Sequence, residues 1–216
     1  SRTRLGSVDL VNGSVNTNWD PFPNSTVKSL KTIGSSLFVS GTFSSIAGNA
    51  RNYTAIFDSN LNLTSSILKT ISYHAFDSDN SNLVGHGFTE DGTNYHLSFY
   101  DSSFNLIWRS NSSVLSNYAT SLKMSPNNIY LAHSFAGTIT LDGNSIPPYS
   151  IIKIPRTNTL NISTAWNPQF VNAVTIRPLE TSTGLLLVGG NFKGVNTSPR
   201  SGFAIISESG AGDPLY

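Results

Sequence analysis

The sequence predicts an all-β fold: a β-propeller segment of four-stranded antiparallel units, about four full units plus half of another. Three observations carry this expectation. The phrases LFVSGTF (Leu37 to Phe43), NLVGHGF (Asn82 to Phe88), IYLAHSF (Ile129 to Phe135) and LLLVGGNF (Leu185 to Phe192) repeat one apolar strand that ends in a small residue or His, a variable residue and Phe. Their phenylalanines stand 45, 47 and 57 residues apart, a period that belongs to propellers and solenoids. Strand-forming β-branched and aromatic residues are plentiful, and no long stretch has the 3.6-residue period of a helix.

Taken in order, residues 1–24 supply the outer half of a unit, and full repeats follow at about 25–68, 69–113, 114–169 and 170–216. Within the first full repeat, Val27 to Ile33 alternates as a half-buried strand, and Gly34, Ser35 and Ser36 turn the chain into Leu37 to Phe43. A polar loop, SSIAGNAR, leads to a third strand at Tyr53 to Asp58, and the turn SNLN leads to a fourth at Leu63 to Ile67. RTRLGSVD (Arg2 to Asp9), RNYTAIFD (Arg51 to Asp58) and RSGFAIIS (Arg200 to Ser207) superpose without gaps, so Arg leads each third strand. Trp19-Asp20-Pro21 and Trp166-Asn167-Pro168 close their units alike, whereas Trp108-Arg109-Ser110 departs from that pattern. A Trp at a unit end reads as packing between neighbours, with Pro stopping the strand. Four inner hairpins against five third strands imply an incomplete ring. Either a longer propeller, a second polypeptide or a second copy would complete it, since an uncovered half-unit exposes unpaired backbone groups.

Composition narrows the function classes. Charged residues make up 12% of the 216 and the net charge is +1, which leaves no electrostatic footprint for nucleic acid or an acidic membrane surface. No apolar run approaches the length of a membrane-spanning helix, so membrane insertion is not expected. Absence of Cys excludes disulfides and thiolate zinc sites. The chain opens without a charged-then-apolar leader, so any export signal is expected upstream. Richness in Ser, Thr and Asn fits an extracellular or cell-surface location. Sequons begin at Asn12, Asn24, Asn52, Asn62, Asn111, Asn161 and Asn196, although a composition this rich in Asn and Ser generates several by chance.

The Gly-Gly-x-Phe strand, the Arg-led third strand ending in Asp and the terminal Trp-Asp/Asn-Pro resemble the delta-60-like propeller repeats of bacterial secreted and cell-surface proteins. Phe135 to Ile146 is also similar to a related bacterial surface propeller repeat, and fungal cortical polarity-marker proteins carry comparable units. The resemblance spans the chain, with a degenerate second unit that lacks the leading Arg. It implies an exported, non-catalytic scaffold or adhesion module and brings no catalytic residues with it.

Candidate sites are few. Asp77 and Asp79 place oxygen ligands at alternate positions, like the start of a calcium loop, but the segment lacks the Gly and distal Glu of an EF-hand and occupies a hairpin-turn slot. Calcium is the one cofactor the pattern would suit. His86 and His133 share a repeat position, two residues before their phenylalanines; that position could bring two imidazoles into one layer, but two ligands are too few for a metal site and packing is the expected role. No acid-base constellation stands out, so no catalytic residue is assigned and the chain is not expected to be an enzyme. The third repeat is the longest, through AGTITLDGNSIPPYS, and Asp142, Asn144 and Tyr149 are the residues expected to bind a partner there. The expected function is a protein-interaction, adhesion or structural module. The alternative is carbohydrate binding of surface glycans, which repeat-equivalent exposed Trp residues would favour.

Overall fold

The structure is a computed structural model that describes residues 3–65, 70–89, 95–111, 119–173, 175–182, 184–210 and 212–215. The described residues form an all-β molecule of several antiparallel sheets that do not close into a ring. Sheet I comprises Val27–Ile33, Ser36–Gly41 and Thr54–Phe57. Sheet II is the meander Thr70–Ser78, Asn82–Thr89, Tyr95–Asp101 and Leu106–Arg109. Sheet III holds Ala119–Met124, Asn128–His133 and Ile151–Pro155, and sheet IV holds Thr175–Ser182, Leu185–Asn191 and Phe203–Ser207. Each second strand pairs with both neighbours, and the first strands of successive sheets touch one another.

The expected fourth strand is complete only in sheet II, the unit whose sequence is least regular. Elsewhere the described residues show one bridge, Phe57↔Leu63 in the first unit, whose expected strand runs on to Ile67 outside the described residues, and Ile206↔Pro214 in the last. The turn that leads into it is nevertheless the most constant device in the chain. Asp9, Asp58 and Asp101 each accept two downstream amides on Oδ1, at Val11 and Asn12, at Asn60 and Asn62, and at Ser103 and Asn105. A short side-chain acceptor that closes its own turn is the reason Asp and Ser recur there. With Val8↔Val15 bridged, residues 3–24 adopt this outer-strand turn, as the gapless superposition of their sequence on Arg51 to Asp58 predicts.

Register decides which side chains meet. The rungs Leu37↔Phe57, Leu83↔Tyr100, Ile129↔Ile154 and Leu186↔Ile206 all face the preceding unit. The next rungs, Phe38↔Ile56 and Val84↔Phe99, face the following one, as does Tyr130. Four apolar joints result. Leu5 packs with Val39, Phe43 and Phe57; Phe38 and Ile56 pack with Leu83 and Tyr100; Val84 and Phe99 pack with Leu131 and Ile152; Tyr130 and Ile151 pack with Leu186 and Ile206. Of the four repeated phenylalanines, Phe43 and Phe192 are buried and Phe135 is half-buried, while the Phe88 side chain lies outside the described residues.

The ladder separates the two histidines of the repeat. From the first rung to the repeated Phe is six residues in three units (Leu37 to Phe43, Ile129 to Phe135, Leu186 to Phe192) and five in sheet II (Leu83 to Phe88). The register irregularities in sheet II, between Thr70 and Ser72 and between Tyr73 and Ala75, accompany this slip. His86 therefore stands three residues past its rung and His133 four, which puts the two rings on opposite faces. His86 stacks on Tyr95 at 5.5 Å within its own sheet, and there is no shared imidazole layer.

The loops after Phe43 and Phe192 are hairpins rather than open polar loops. Ser45–Ile46 pairs with Asn49–Ala50, and Gly194–Val195 pairs with Ser198–Pro199 and Phe170–Val171. Each tucks one apolar residue, Ile46 or Val195, into a joint. Side-chain amides fasten these hairpins to the entering chain. Asn24 Oδ1 accepts the Ser44 and Ser45 amides, and Asn196 Oδ1 accepts the Gln169 amide.

All three tryptophans do the same job, including Trp108. Each indole N–H donates to a main-chain carbonyl in the next unit: Trp19 to Leu61 at 3.0 Å, Trp108 to Thr157 at 3.0 Å and Trp166 to Ser207 at 2.8 Å. Trp108 and Trp166 are buried. Gly212, at φ 78°, lies so close to the Trp166 indole that a Cβ would meet it at 3.0 Å. Replacing Trp166 by Phe keeps most of the buried ring but orphans the Ser207 carbonyl, so urea unfolding should show a loss of about 1–2 kcal/mol. Trp166→Ala, which also leaves a cavity, should cost about 3–5 kcal/mol.

Candidate functional site

The long third-unit loop forms a hairpin, Ile139–Leu141 against Asn144–Ile146, closed by Asp142 at φ 47° and Gly143 at φ 81°. Two consecutive positive φ values define the tight hairpin turn that Asp-Gly favours. Ile139, Leu141 and Ile146 are buried in the joint between sheets II and III, while Thr140 and Ser145 face solvent. This hairpin is thus a longer version of the ones after Phe43 and Phe192.

The three residues expected to bind a partner are placed as follows. Asp142 Oδ1 accepts the Asn111 amide at 2.7 Å, tying the hairpin tip to the end of sheet II. Asn144 Nδ2 donates to the Leu141 and Asp142 carbonyls at 3.4 and 3.2 Å, inside the turn. Tyr149, at φ 44°, is half-buried against the joint between sheets III and IV. All three side chains therefore have structural partners, and they do not converge on one cavity.

A shallow cleft does open beside the hairpin base, between Ser145, Ser150, Ser163, Thr164, Trp166 and Asn167. Hydroxyl, amide and apolar groups line it, with no carboxylate, imidazole, amine or guanidinium. It can offer hydrogen bonds but no acid or base.

One pair has the spacing of a nucleophile and its base. His133 Nε2 is 2.9 Å from Ser150 Oγ, but both residues are buried, at 0% and 1% exposure. Ser150 Oγ also lies 3.0 Å from the Pro147 carbonyl, and no carboxylate hydrogen-bonds to His133 Nδ1. Burial pushes the His133 imidazole down to about 4, against a Pro147 carbonyl contact that favours the proton. The ring is neutral and sealed at neutral pH, and acts as a packing group.

Asp77 and Asp79 join sheets rather than standing open to solvent. Asp77 Oδ1 is 2.6 Å from Lys31 Nζ of sheet I, and its Oδ2 accepts the Met124 amide of sheet III at 2.9 Å. Asp79 Oδ1 closes its turn on the Ser81 and Asn82 amides, and its Oδ2 meets the Arg156 guanidinium at 2.6 Å. Burial opposes ionisation of Asp79, but the Ser81 amide, Arg156 and the Asn82 amide hold its carboxyl below the usual carboxylate range. Calcium at this turn would have to displace two cations and three amides from the same oxygens. No cluster of three or more His, Cys, Asp or Glu side chains able to hold a metal occurs among the described residues.

The residue most informative about this region was not singled out from sequence. Arg156 joins Asp79, the Ser125 carbonyl at 2.7 Å and Asn82 Oδ1 at 2.7 Å, and so clamps the turn of sheet II to that of sheet III. Lys153, one turn away, donates to the Glu208 carbonyl of sheet IV and lies over the Trp166 ring at 5.8 Å. A lone Arg after a strand carries no pattern that marks it in advance.

Arg156→Ala should destabilise the fold by about 1–3 kcal/mol in chemical denaturation, with Arg156→Lys in between because a lysine cannot fork. Millimolar calcium should leave the wild-type midpoint unmoved, and a rise abolished by Asp79→Ala would assign a cation to the turn. His133 supplies a pH signature. Its folded value near 4 lies below the unfolded value of 6.5, so the stability it contributes is full above pH 6.5 and is lost as pH falls towards 4. The loss should reach up to about 3 kcal/mol, and His133→Asn should flatten the stability profile across that window.

No protein-family model matches this sequence, and no curated protein matches it.

Proposed function

We infer that this chain is a run of β-propeller units serving as a non-catalytic interaction or structural module of an exported or cell-surface protein. The observation that carries the reading is the repeated joint. First strands of successive sheets touch, sheets I to III pack apolar residues on both faces, and three indoles bond forward into the next unit. Radial sheets that share an axis through their first strands have these contacts. The non-catalytic part is supported by the buried His133, whose Nδ1 no carboxylate orients, and by the absence of ionisable groups from the cleft that Ser150 lines. Low net charge and a hydroxyl-rich surface suit a module that meets its partner by shape and hydrogen bonding.

Carbohydrate binding through repeated tryptophans has less support, because those rings are engaged in the joints. Sequon geometry bears on export through a glycosylating route. Asn24 and Asn196 already spend their amides on the hairpin fastenings, whereas Asn12, Asn52 and Asn161 are exposed.

Electron microscopy of the full-length native protein tests the architecture, with a disc of radial sheets expected and an open superhelix of stacked sheets fatal to the reading. Chromogenic ester, glycoside and phosphate substrates should show no turnover. Turnover abolished by Ser150→Ala would make the chain an enzyme instead.

A further inference from the structure

We propose that the cleft beside the third-unit hairpin is a docking slot for one Ser or Thr residue in an extended segment of a protein partner, held through the main chain of Ile151. The inference rests on the interaction-module reading and names the chemistry by which the module would take its partner. Sheet III has apolar joints to sheets II and IV on its two faces, so the slot lies inside the described fold rather than at an end of it.

Strand parity brings main-chain groups to the cleft. The Ser150 carbonyl accepts the His133 amide and the Arg156 amide donates to the Asn127 carbonyl, so residues 150, 152, 154 and 156 bond to the second strand of sheet III. Ile151 and Lys153 therefore turn their amides and carbonyls to the outer edge. There the Lys153 carbonyl accepts the Ser163 amide at 2.9 Å, after which the chain leaves the edge and carries Trp166 to Ser207 of sheet IV. The Ile151 amide, the Ile151 carbonyl and the Lys153 amide have no hydrogen-bond partner among the described residues. Ile151 is 2% exposed and lines the cleft. Buried main-chain groups are almost always paired, so a donor and an acceptor left open beside a cleft point to a guest.

Sheet II shows the form of that guest. The rungs Leu83↔Tyr100 and Ile129↔Ile154 correspond, so Leu97 stands where Ile151 does. One residue satisfies both Leu97 groups: the Ser110 amide donates to the Leu97 carbonyl at 2.9 Å, and Ser110 Oγ accepts the Leu97 amide at 3.1 Å. No described residue takes this place in sheet III. A partner's Ser or Thr would supply the same N–H and hydroxyl, with Ser145, Ser163, Thr164 and Asn167 around it. The cleft measures about 40 Å³, room for a few non-hydrogen atoms and too little for a sugar ring or an aromatic side chain. Its uncharged lining would leave an inserted Lys, Arg, Asp or Glu side chain unpaired. Main-chain bonding combined with a side-chain pocket is the strand-addition mode of peptide recognition.

The probe is a synthetic peptide of residues 106–113, LIWRSNSS, blocked at both ends and titrated into the 216-residue chain, with amide hydrogen exchange and NMR shifts as readouts. In the free chain the Ile151 amide should exchange faster than the ladder-paired Leu131 amide. Added peptide should slow it and shift the Ile151 and Lys153 signals saturably, and the peptide carrying Ser110→Ala should bind about tenfold or more weakly. Ser145→Trp and Thr164→Trp, at exposed rim positions, should each abolish the response, whereas Asn60→Trp at the exposed turn of sheet I should leave it unchanged. An Ile151 amide already protected as well as Leu131 overturns the proposal, as do shifts that survive both rim substitutions or binding indifferent to Ser110→Ala. Silence at saturating peptide overturns it too and leaves solvent as the occupant, and protection by mannose or N-acetylglucosamine instead of peptide gives the slot to carbohydrate. A propeller disc by microscopy with a silent peptide sinks this inference alone, whereas peptide bound at Ile151 on an open superhelix sinks only the propeller.

Discussion

Sheets I to III are packed with apolar residues on both faces, and that constraint organises the rest. A sheet with one wet face can stand on a single core, whereas a sheet such as sheet III, with Leu131 and Ile152 on one side and Tyr130 and Ile151 on the other, must be sandwiched. Alternation along the strands means that the ladder register assigns each residue to one neighbour or the other. The slip in sheet II shows how strict this is. Its rung Leu83↔Tyr100 still meets sheet I, and the displaced residue is absorbed at the strand end by moving the Phe and the His.

Polar groups in the joints are few, and not all are paired: Tyr130 Oη and His133 Nδ1 are buried without a hydrogen-bond partner. Lys31, Asp77, the Met124 amide, Asp79 and Arg156 form a line that runs from sheet I through sheet II to sheet III at the hairpin-turn end. Hydrophobic contact is indifferent to small rotations, but a forked guanidinium that must satisfy Asp79, Asn82 and Ser125 at once is not. The indoles add a directional bond to each of three joints. Apolar burial therefore supplies the cohesion, and these groups set the angle at which one sheet meets the next.

Much of the fold was legible in the sequence, because repetition reports on structure without homologues. The strand Val27–Ile33 has its expected ends, the inner hairpins turn where Gly, Asn and Asp cluster, and the superposition of Arg2 to Asp9 on Arg51 to Asp58 locates the turn at Asp9. Of the expected fourth strand at Leu63 to Ile67, Leu63 bridges Phe57, whereas Ser66 and Ile67 lie outside the described residues. The loop hairpins were under-read because a two-residue strand such as Ser45–Ile46 is too short for alternation to appear. At the site, an Asp-Gly turn was visible, but its tether to Asn111 was not, because a contact between distant residues leaves no local pattern. Arg156 was invisible for the same reason.

The tryptophan joints bear on how such a chain can change over time. The acceptors are main-chain carbonyls of Leu61, Thr157 and Ser207, so the bond does not depend on whether the side chain is apolar or hydroxylated. The receiving unit is thus free to substitute at that position, and loops can lengthen, since the donor and acceptor are 42, 49 and 41 residues apart in the three joints. Divergence is constrained at the donor and almost unconstrained at the recipient. Neighbouring units can therefore differ until little but a spaced Trp, a turn Asp and an alternating strand is shared between them, while the geometry that joins them stays fixed.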